Sequence, residues 1–233
     1  MDINVVHLFF EQSGTFKKAF KMLGYDAFDY DIKNDFGETN FVCDLFNEIE
    51  SCFCGKQSIF DKIKNDDLIF AFFPCIYFCE INQTYFTANS PNLKGKDKLK
   101  EIISRGERRE YFYEILLNLC WICEKRELKI IIENPYSVNH YLYNNFPYKP
   151  AYIDYNRNIR GDYFTKPTQY YFINCSPTTY NTIAPNPIKK NIRKINGCKR
   201  DIERSMITLE YAYNFICDKV IGKKTEKIEL TLF

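Results

Sequence analysis

The sequence predicts an α/β protein built on a doubly wound, mostly parallel sheet. Two observations carry this. Over the first two-thirds of the chain, short apolar runs alternate with amphipathic stretches, the β-α-β rhythm of a parallel sheet. With 233 residues, 45% of them hydrophobic, the chain is long enough to bury a sizeable core without staples.

The elements follow in order. Ile3 to Phe10 reads as a buried strand, and Glu11-Gln12-Ser13-Gly14-Thr15 as the turn after it. Phe16, Ala19, Phe20 and Leu23 recur at helical spacing, and Gly24 closes that helix. A second strand covers Ala27 to Ile32, with Asp29 and Asp31 towards its end; a third covers Phe41 to Phe46, with Asp44 near its end. Asp67 to Phe73 is the fourth. A long helix from roughly Glu107 to Lys125 sets Phe112, Ile115, Leu116, Leu119, Ile122 and Cys123 on one face. Leu128 to Ile132 is the fifth strand. Past Pro135 the prolines at 147, 150, 167, 177, 185 and 187 break any long helix, so 136–203 reads as a variable insert. Within it, Tyr163 to Asn174 holds one or two strands, and Ile188 to Arg204 is basic. Leu209 to Val220 reads as a closing helix. The expectation is a single domain over 1–233.

Bulk properties exclude some classes. Thirty-two basic against 30 acidic residues give a net charge of +2, so a nucleic-acid surface would have to be a local patch. No segment approaches the ~20 apolar residues of a membrane span. Asp2 and Asn4 precede the first apolar stretch without a cleavage pattern, so the expected location is cytoplasmic, with the ten cysteines reduced. Cys120-Trp121-Ile122-Cys123 has the spacing of a zinc half-site but lies on the apolar face of a helix, and no second pair follows; no metal is expected.

Two strand ends concentrate the chemistry. The apolar run from Asp67 ends in Pro74-Cys75, and that of Ile130 to Ile132 ends in Glu133-Asn134-Pro135. In a parallel sheet both ends reach the edge where open α/β proteins place ligands. A thiol would then stand beside a carboxyl, a pair suited to attack on an electron-poor ring. A buried carboxyl there can stay protonated and donate to a ring nitrogen. The bland alternatives are a cysteine used as a small hydrophobe and a strand-end acid capped by loop amides. The turn at Ser13-Gly14-Thr15 lets a ligand approach backbone and helix N-terminus. With Asp29 or Asp31 for a ribose and Asp44 for an adenine amino group, it resembles an adenosine-type site.

These residues resemble the cytosine-5 DNA methyltransferases, most closely their compact phage and prophage branch. Phe9 to Phe16 is similar to the family's cofactor loop, Asp67 to Cys75 to its Pro-Cys nucleophile segment, and Glu133-Asn134-Pro135 to its Glu-Asn motif. Arg160-Gly161-Asp162 with Lys166-Pro167-Thr168 resembles the Gly-Asp and Lys-Pro-Thr run of that branch. Arg204 to Thr208 with Glu210-Tyr211-Ala212 resembles its closing motif, which packs back on the cofactor loop. The resemblance implies a Rossmann-like fold of the S-adenosylmethionine-dependent type, with 209–220 packed back on the core, and DNA as partner. It implies catalysis by Cys75, Pro74, Glu133 and Asn134. S-adenosylmethionine would be held by Phe10, Glu11, Gln12, Ser13, Gly14, Thr15, Asp31, Ile32, Asp44, Leu45, Phe73 and Ser205. Arg157, Arg160, Lys166 and Thr168 would contact the substrate. The chain departs from the family at Gln12, where a glycine is usual, and at Phe73, where a second proline is usual. A degenerate descendant that binds nucleic acid or a partner without catalysis is the competing reading.

Overall fold

The computed structural model describes residues 2–87, 97–190 and 205–224. Its centre is a seven-stranded sheet in the order β3-β2-β1-β4-β5-β7-β6. The strands are β1 (Val5–Phe9), β2 (Asp26–Asp31), β3 (Phe41–Val42), β4 (Leu68–Ala71), β5 (Lys129–Pro135), β6 (Tyr152–Asp154) and β7 (Thr168–Ile173). The first five pair in parallel, while β7 runs antiparallel to both β5 and β6. Among the described residues six α-helices accompany them: α1 (Thr15–Met22), α2 (Leu45–Phe53), α3 (Glu80–Gln83), α4 (Lys98–Lys125), α5 (Tyr141–Asn145) and α6 (Leu209–Phe215).

The period of two along each strand divides the core between the two faces of the sheet. Val6 and Leu8 of β1, Phe70 of β4 and Ile131 of β5 pack with Phe16, Phe20, Tyr211 and Phe215 of α1 and α6. Phe9, Ile69, Ala71, Ile130 and Ile132 join Ile49 of α2 and Leu116, Leu119 and Cys123 of α4. Helix α1 ends where expected. Gly24 sits at φ +86, its N–H donates to the Lys21 carbonyl, and the Tyr25 N–H donates to the Phe20 carbonyl. This is the Schellman arrangement that only a left-handed residue closes cheaply.

Several boundaries differ from expectation. β3 is two residues long because the Asp44 carboxylate accepts from the Phe46 N–H at 3.0 Å and starts α2, drawing Leu45 and Phe46 into a helix. Helix α4 begins at Lys98, with Asp97 as its cap, nine residues before Glu107. β5 runs on to Pro135 because Glu133, Asn134 and Pro135 pair with Tyr170, Gln169 and Thr168. The described part of the expected insert, 136–190, supplies β6 and β7 to the sheet. The closing helix is α-helical only to Phe215; Ile216–Ile221 widens to a π-helix. Of the basic stretch to Arg204, residues 191–204 lie outside the described residues. Among the described residues, no helix is long and apolar enough to cross a membrane.

Candidate functional site

The C-terminal ends of β1, β4 and β5 open into one cavity of about 260 Å³. Three segments that are distant in sequence form its walls: Phe10 to Phe16, Phe72 to Cys75, and Glu133 with Pro135. Arg157, Lys166 and residues Ser205 to Ile207 complete it.

The first wall is a strained turn. Phe10 leaves β1 at φ +61, a costly angle for a residue with a side chain, and its ring meets Phe73 edge-on at 5.3 Å. Gly14 follows at φ +67, with Glu38 close enough that an added Cβ would come within 3.2 Å of it. Between them the Glu11 carboxylate folds back and accepts from the Phe16 N–H at 2.7 Å and the Lys17 N–H at 3.2 Å. These are among the amides that a helix N-terminus leaves without an intrahelical partner. Burial pushes Glu11 up to about 7, against the pull of those amides. Lys17, itself buried, reaches Asp29 at 2.9 Å. Gln12 also lines the cavity, and its side-chain oxygen is buried with no partner.

The second and third walls bring the thiol and the carboxyl together. Cys75 is drawn below the ordinary thiol range chiefly by a hydrogen bond from Cys79, with help from Lys166 and against burial and Glu133. Glu133 is only 8% exposed, and burial raises it against the pull of Lys166 and Arg157. Asn134 does not line the cavity. Its amide donates to the Phe73 carbonyl at 3.0 Å and to the Glu133 carbonyl at 2.7 Å, which ties the end of β5 to the Pro74-Cys75 segment.

Arg157 lies in the cavity wall, 1% exposed, with Nε donating to Asp162 at 2.6 Å and its guanidinium over the Tyr211 ring. Arg160 is placed elsewhere. Its guanidinium is held by Asp154, by Asp218 at 2.9 Å and by the Asn181 side chain, so it ties the loops to the π-helical segment and lines no part of the cavity. Thr168 is buried opposite Pro135 in the β5–β7 ladder, and its hydroxyl donates to the Lys166 carbonyl at 3.2 Å. Ser205 is exposed at the rim.

The remaining expected cofactor contacts lie along the same sheet edge, beyond the cavity itself. Asp31 ends β2, half-buried, and accepts from the Lys33 N–H at 2.8 Å; burial raises its carboxyl. Ile32 beside it is 62% exposed. Asp44 is the cap of α2, while Leu45 is buried in the core.

Phe36 lines the cavity without any sign in the sequence, while Phe72, Met206 and Ile207 line it from segments expected there, though none was named as a contact residue. Cys79 follows Cys75 by four residues, a spacing visible in the sequence. Among the described residues, no group of three or more His, Cys, Asp or Glu is arranged to hold a metal. Compared with protein-family models and with curated proteins, the sequence matches none.

Proposed function

We propose that this chain is an S-adenosylmethionine-dependent methyltransferase acting on C5 of cytosine in DNA. One observation carries the reading: Cys75 and Glu133 line the same cavity at neighbouring strand ends, the thiol drawn towards thiolate and the carboxyl towards its protonated form. Those are the two protonation states that addition to a pyrimidine ring requires.

The sheet order supports the methyltransferase form of the Rossmann-like fold, with an antiparallel β7 inserted between β5 and β6. The turn after β1 supports the cofactor class. In dinucleotide-binding proteins the free amides of the first helix receive a pyrophosphate. Here the Glu11 carboxylate already accepts from two of them, which disfavours a diphosphate and suits a cationic sulfonium. Residues Phe10 to Thr15, Phe73 and Ser205 would hold S-adenosylmethionine, with Asp31 and Ile32 towards the ribose and Asp44 and Leu45 towards the adenine. When bound, that cofactor supplies an electrophilic methyl group.

The chain's own residues do the rest. The target base leaves the duplex to enter the cavity. Cys75 adds its sulfur to C6 while Glu133 gives a proton to N3, so the electron pair of the C5–C6 double bond becomes available at C5. After methylation, loss of the C5 proton expels the Cys75 thiolate, N3 returns its proton to Glu133, and the ring is restored. Arg157 and Lys166 offset negative charge that develops beside Glu133. Asn134 acts as a positioning residue through its bond to the Phe73 carbonyl.

The test is covalent trapping. Duplex DNA of mixed sequence carrying 5-fluorocytosine, with S-adenosylmethionine, should capture the protein as an adduct stable to denaturation, because fluorine cannot leave as a proton does. Cys75→Ser should abolish the adduct, and Glu133→Gln should slow it by about 10²–10⁴-fold, the usual worth of a positioned acid. Calorimetry with S-adenosylhomocysteine tests the cofactor separately. Binding without trapping would point to the non-catalytic descendant, and no binding at millimolar ligand would sink the cofactor assignment.

A further inference from the structure

The segment after Cys75 returns on itself. The Phe78 and Cys79 N–H groups both donate to the Cys75 carbonyl, at 2.9 and 3.1 Å, which makes residues 75 to 79 a single helical turn. At a rise of 1.5 Å per residue, the two Cα atoms lie about 6 Å apart, within the roughly 4.4–6.8 Å that a disulfide spans. Each thiol bears on the other's ionisation: Cys79 draws Cys75 down, and Cys75 holds Cys79 well above the ordinary thiol range. Both residues are half-exposed, and Cys75 faces the open cavity.

We propose that Cys79 is a resolving thiol for Cys75, and that a hydroperoxide closes the pair into a reversible disulfide that switches the site off. The Cys75 thiolate attacks the terminal oxygen of the peroxide; the O–O bond breaks, giving a sulfenic acid and releasing an alkoxide, or hydroxide where the oxidant is hydrogen peroxide. The Cys79 sulfur then attacks the sulfenic sulfur; the S–S bond forms, the S–O bond breaks, and the oxygen leaves as water with the Cys79 proton. Two thiols lose two electrons and the peroxide is reduced to an alcohol and water, or to water alone where the oxidant is hydrogen peroxide. A dithiol reductant reverses the closure by exchange.

The arrangement selects this pair over the other thiols among the described residues. Cys120 and Cys123 are buried in the α4 core and burial raises both, as it raises Cys43, Cys175 and Cys217. Cys54 is exposed, but its neighbour Cys52 is buried, two residues away. Low-pKa, accessible sulfur with a partner one turn away is the setting in which sulfenic acid is captured before it oxidises further. The closure stands on this geometry alone; only its effect on activity rests on the methyltransferase reading.

Mass spectrometry of the full-length protein tests it. The reduced protein is treated with dilute hydrogen peroxide, alkylated and digested without reductant. The peptide spanning Cys75 and Cys79 should lose two hydrogens and regain them with dithiothreitol. In Cys79→Ser the same dose should drive Cys75 to sulfinic and sulfonic acids, at least tenfold more than in wild type; Cys79→Ala repeats the test if the serine variant fails to fold. Equal over-oxidation of Cys75 in wild type and variant, or a bridge from Cys75 to any other cysteine, overturns the proposal. If the bridge forms but 5-fluorocytosine never traps the protein, the pair stands and the methyltransferase reading falls.

Discussion

Replacing Asp162 with alanine tests the ion pair that holds Arg157 in the cavity wall. Both side chains are 1% exposed, and Asp162 accepts from Arg157 Nε while also receiving the Phe164 N–H at 3.3 Å. Removing the carboxylate leaves a guanidinium buried against Tyr211 without its counter-charge. Breaking a buried pair from one side costs about 3–5 kcal/mol. A chain of this size loses roughly 2–4 °C of melting temperature per kcal/mol, so the midpoint should drop by roughly 6–20 °C. Thermal unfolding followed by circular dichroism, checked by urea titration, gives the number. The freed charge should also pull on Glu133, whose proton Arg157 already opposes, and slow trapping further. Arg157→Leu combined with Asp162→Leu should recover most of the stability, because apolar replacement of a whole buried pair is often neutral or better. A loss below about 1 kcal/mol, or a double variant no better than the single one, would refute the claim that the pair is desolvated.

Three further outcomes are expected. Glu11, raised from 4.5 to about 7, keeps in the folded state a proton that the unfolded chain releases, so stability should fall as pH rises through that window, and Glu133 acts in the same direction. Urea titrations at pH 5 and pH 8 should show Glu11→Gln losing a pH dependence on the order of 3 kcal/mol; a slope identical to wild type sinks the assignment. Gly161→Ala should destabilise by about 2–4 kcal/mol on chemical unfolding, since φ is +109 there and an added Cβ would meet Glu210 at 2.7 Å; an unchanged midpoint would show that Glu210 simply moves aside. Asp44→Ala should cost about 1 kcal/mol as a lost N-cap of α2, and no measurable cost would mean the cap is idle.

Strands β1, β4 and β5 were legible because each is an apolar run long enough to stand out. Where the reading missed, a polar residue or a distant partner decided the outcome. Leu45 and Phe46 continue the apolar run of Phe41, and only the capping geometry of Asp44 turns them into helix. Residues 98–106 carry Leu99 and Ile103 outwards, so no buried stripe announced the start of α4. β6 is three residues long and gains its meaning from pairing with β7. In the site, the Pro-Cys and Glu-Asn segments were readable because a parallel sheet brings its strand ends to one edge. The different fates of Arg157 and Arg160 were not, since Asp218, 58 residues from Arg160, fixes one of them. Cys79 carries no signal of its own, because a thiol four residues from another looks like core until the turn between them is known.

The cavity joins the turn after β1 with Ser205 to Ile207, and Phe16 of its wall meets Phe215, which stacks on Tyr170 at 4.2 Å. Translation separates these partners in time. At about 5–20 residues per second, the stretch between Phe16 and Ser205 takes roughly 10–40 s to make. Throughout that interval the growing polypeptide can form β1, β2 and β4, but it lacks the helix that covers Phe16, Phe70 and Tyr170. A nascent chain paused before Phe215 would present that aromatic face to any chaperone that meets it. Ligand competence would arrive in one late step, when the last wall closes.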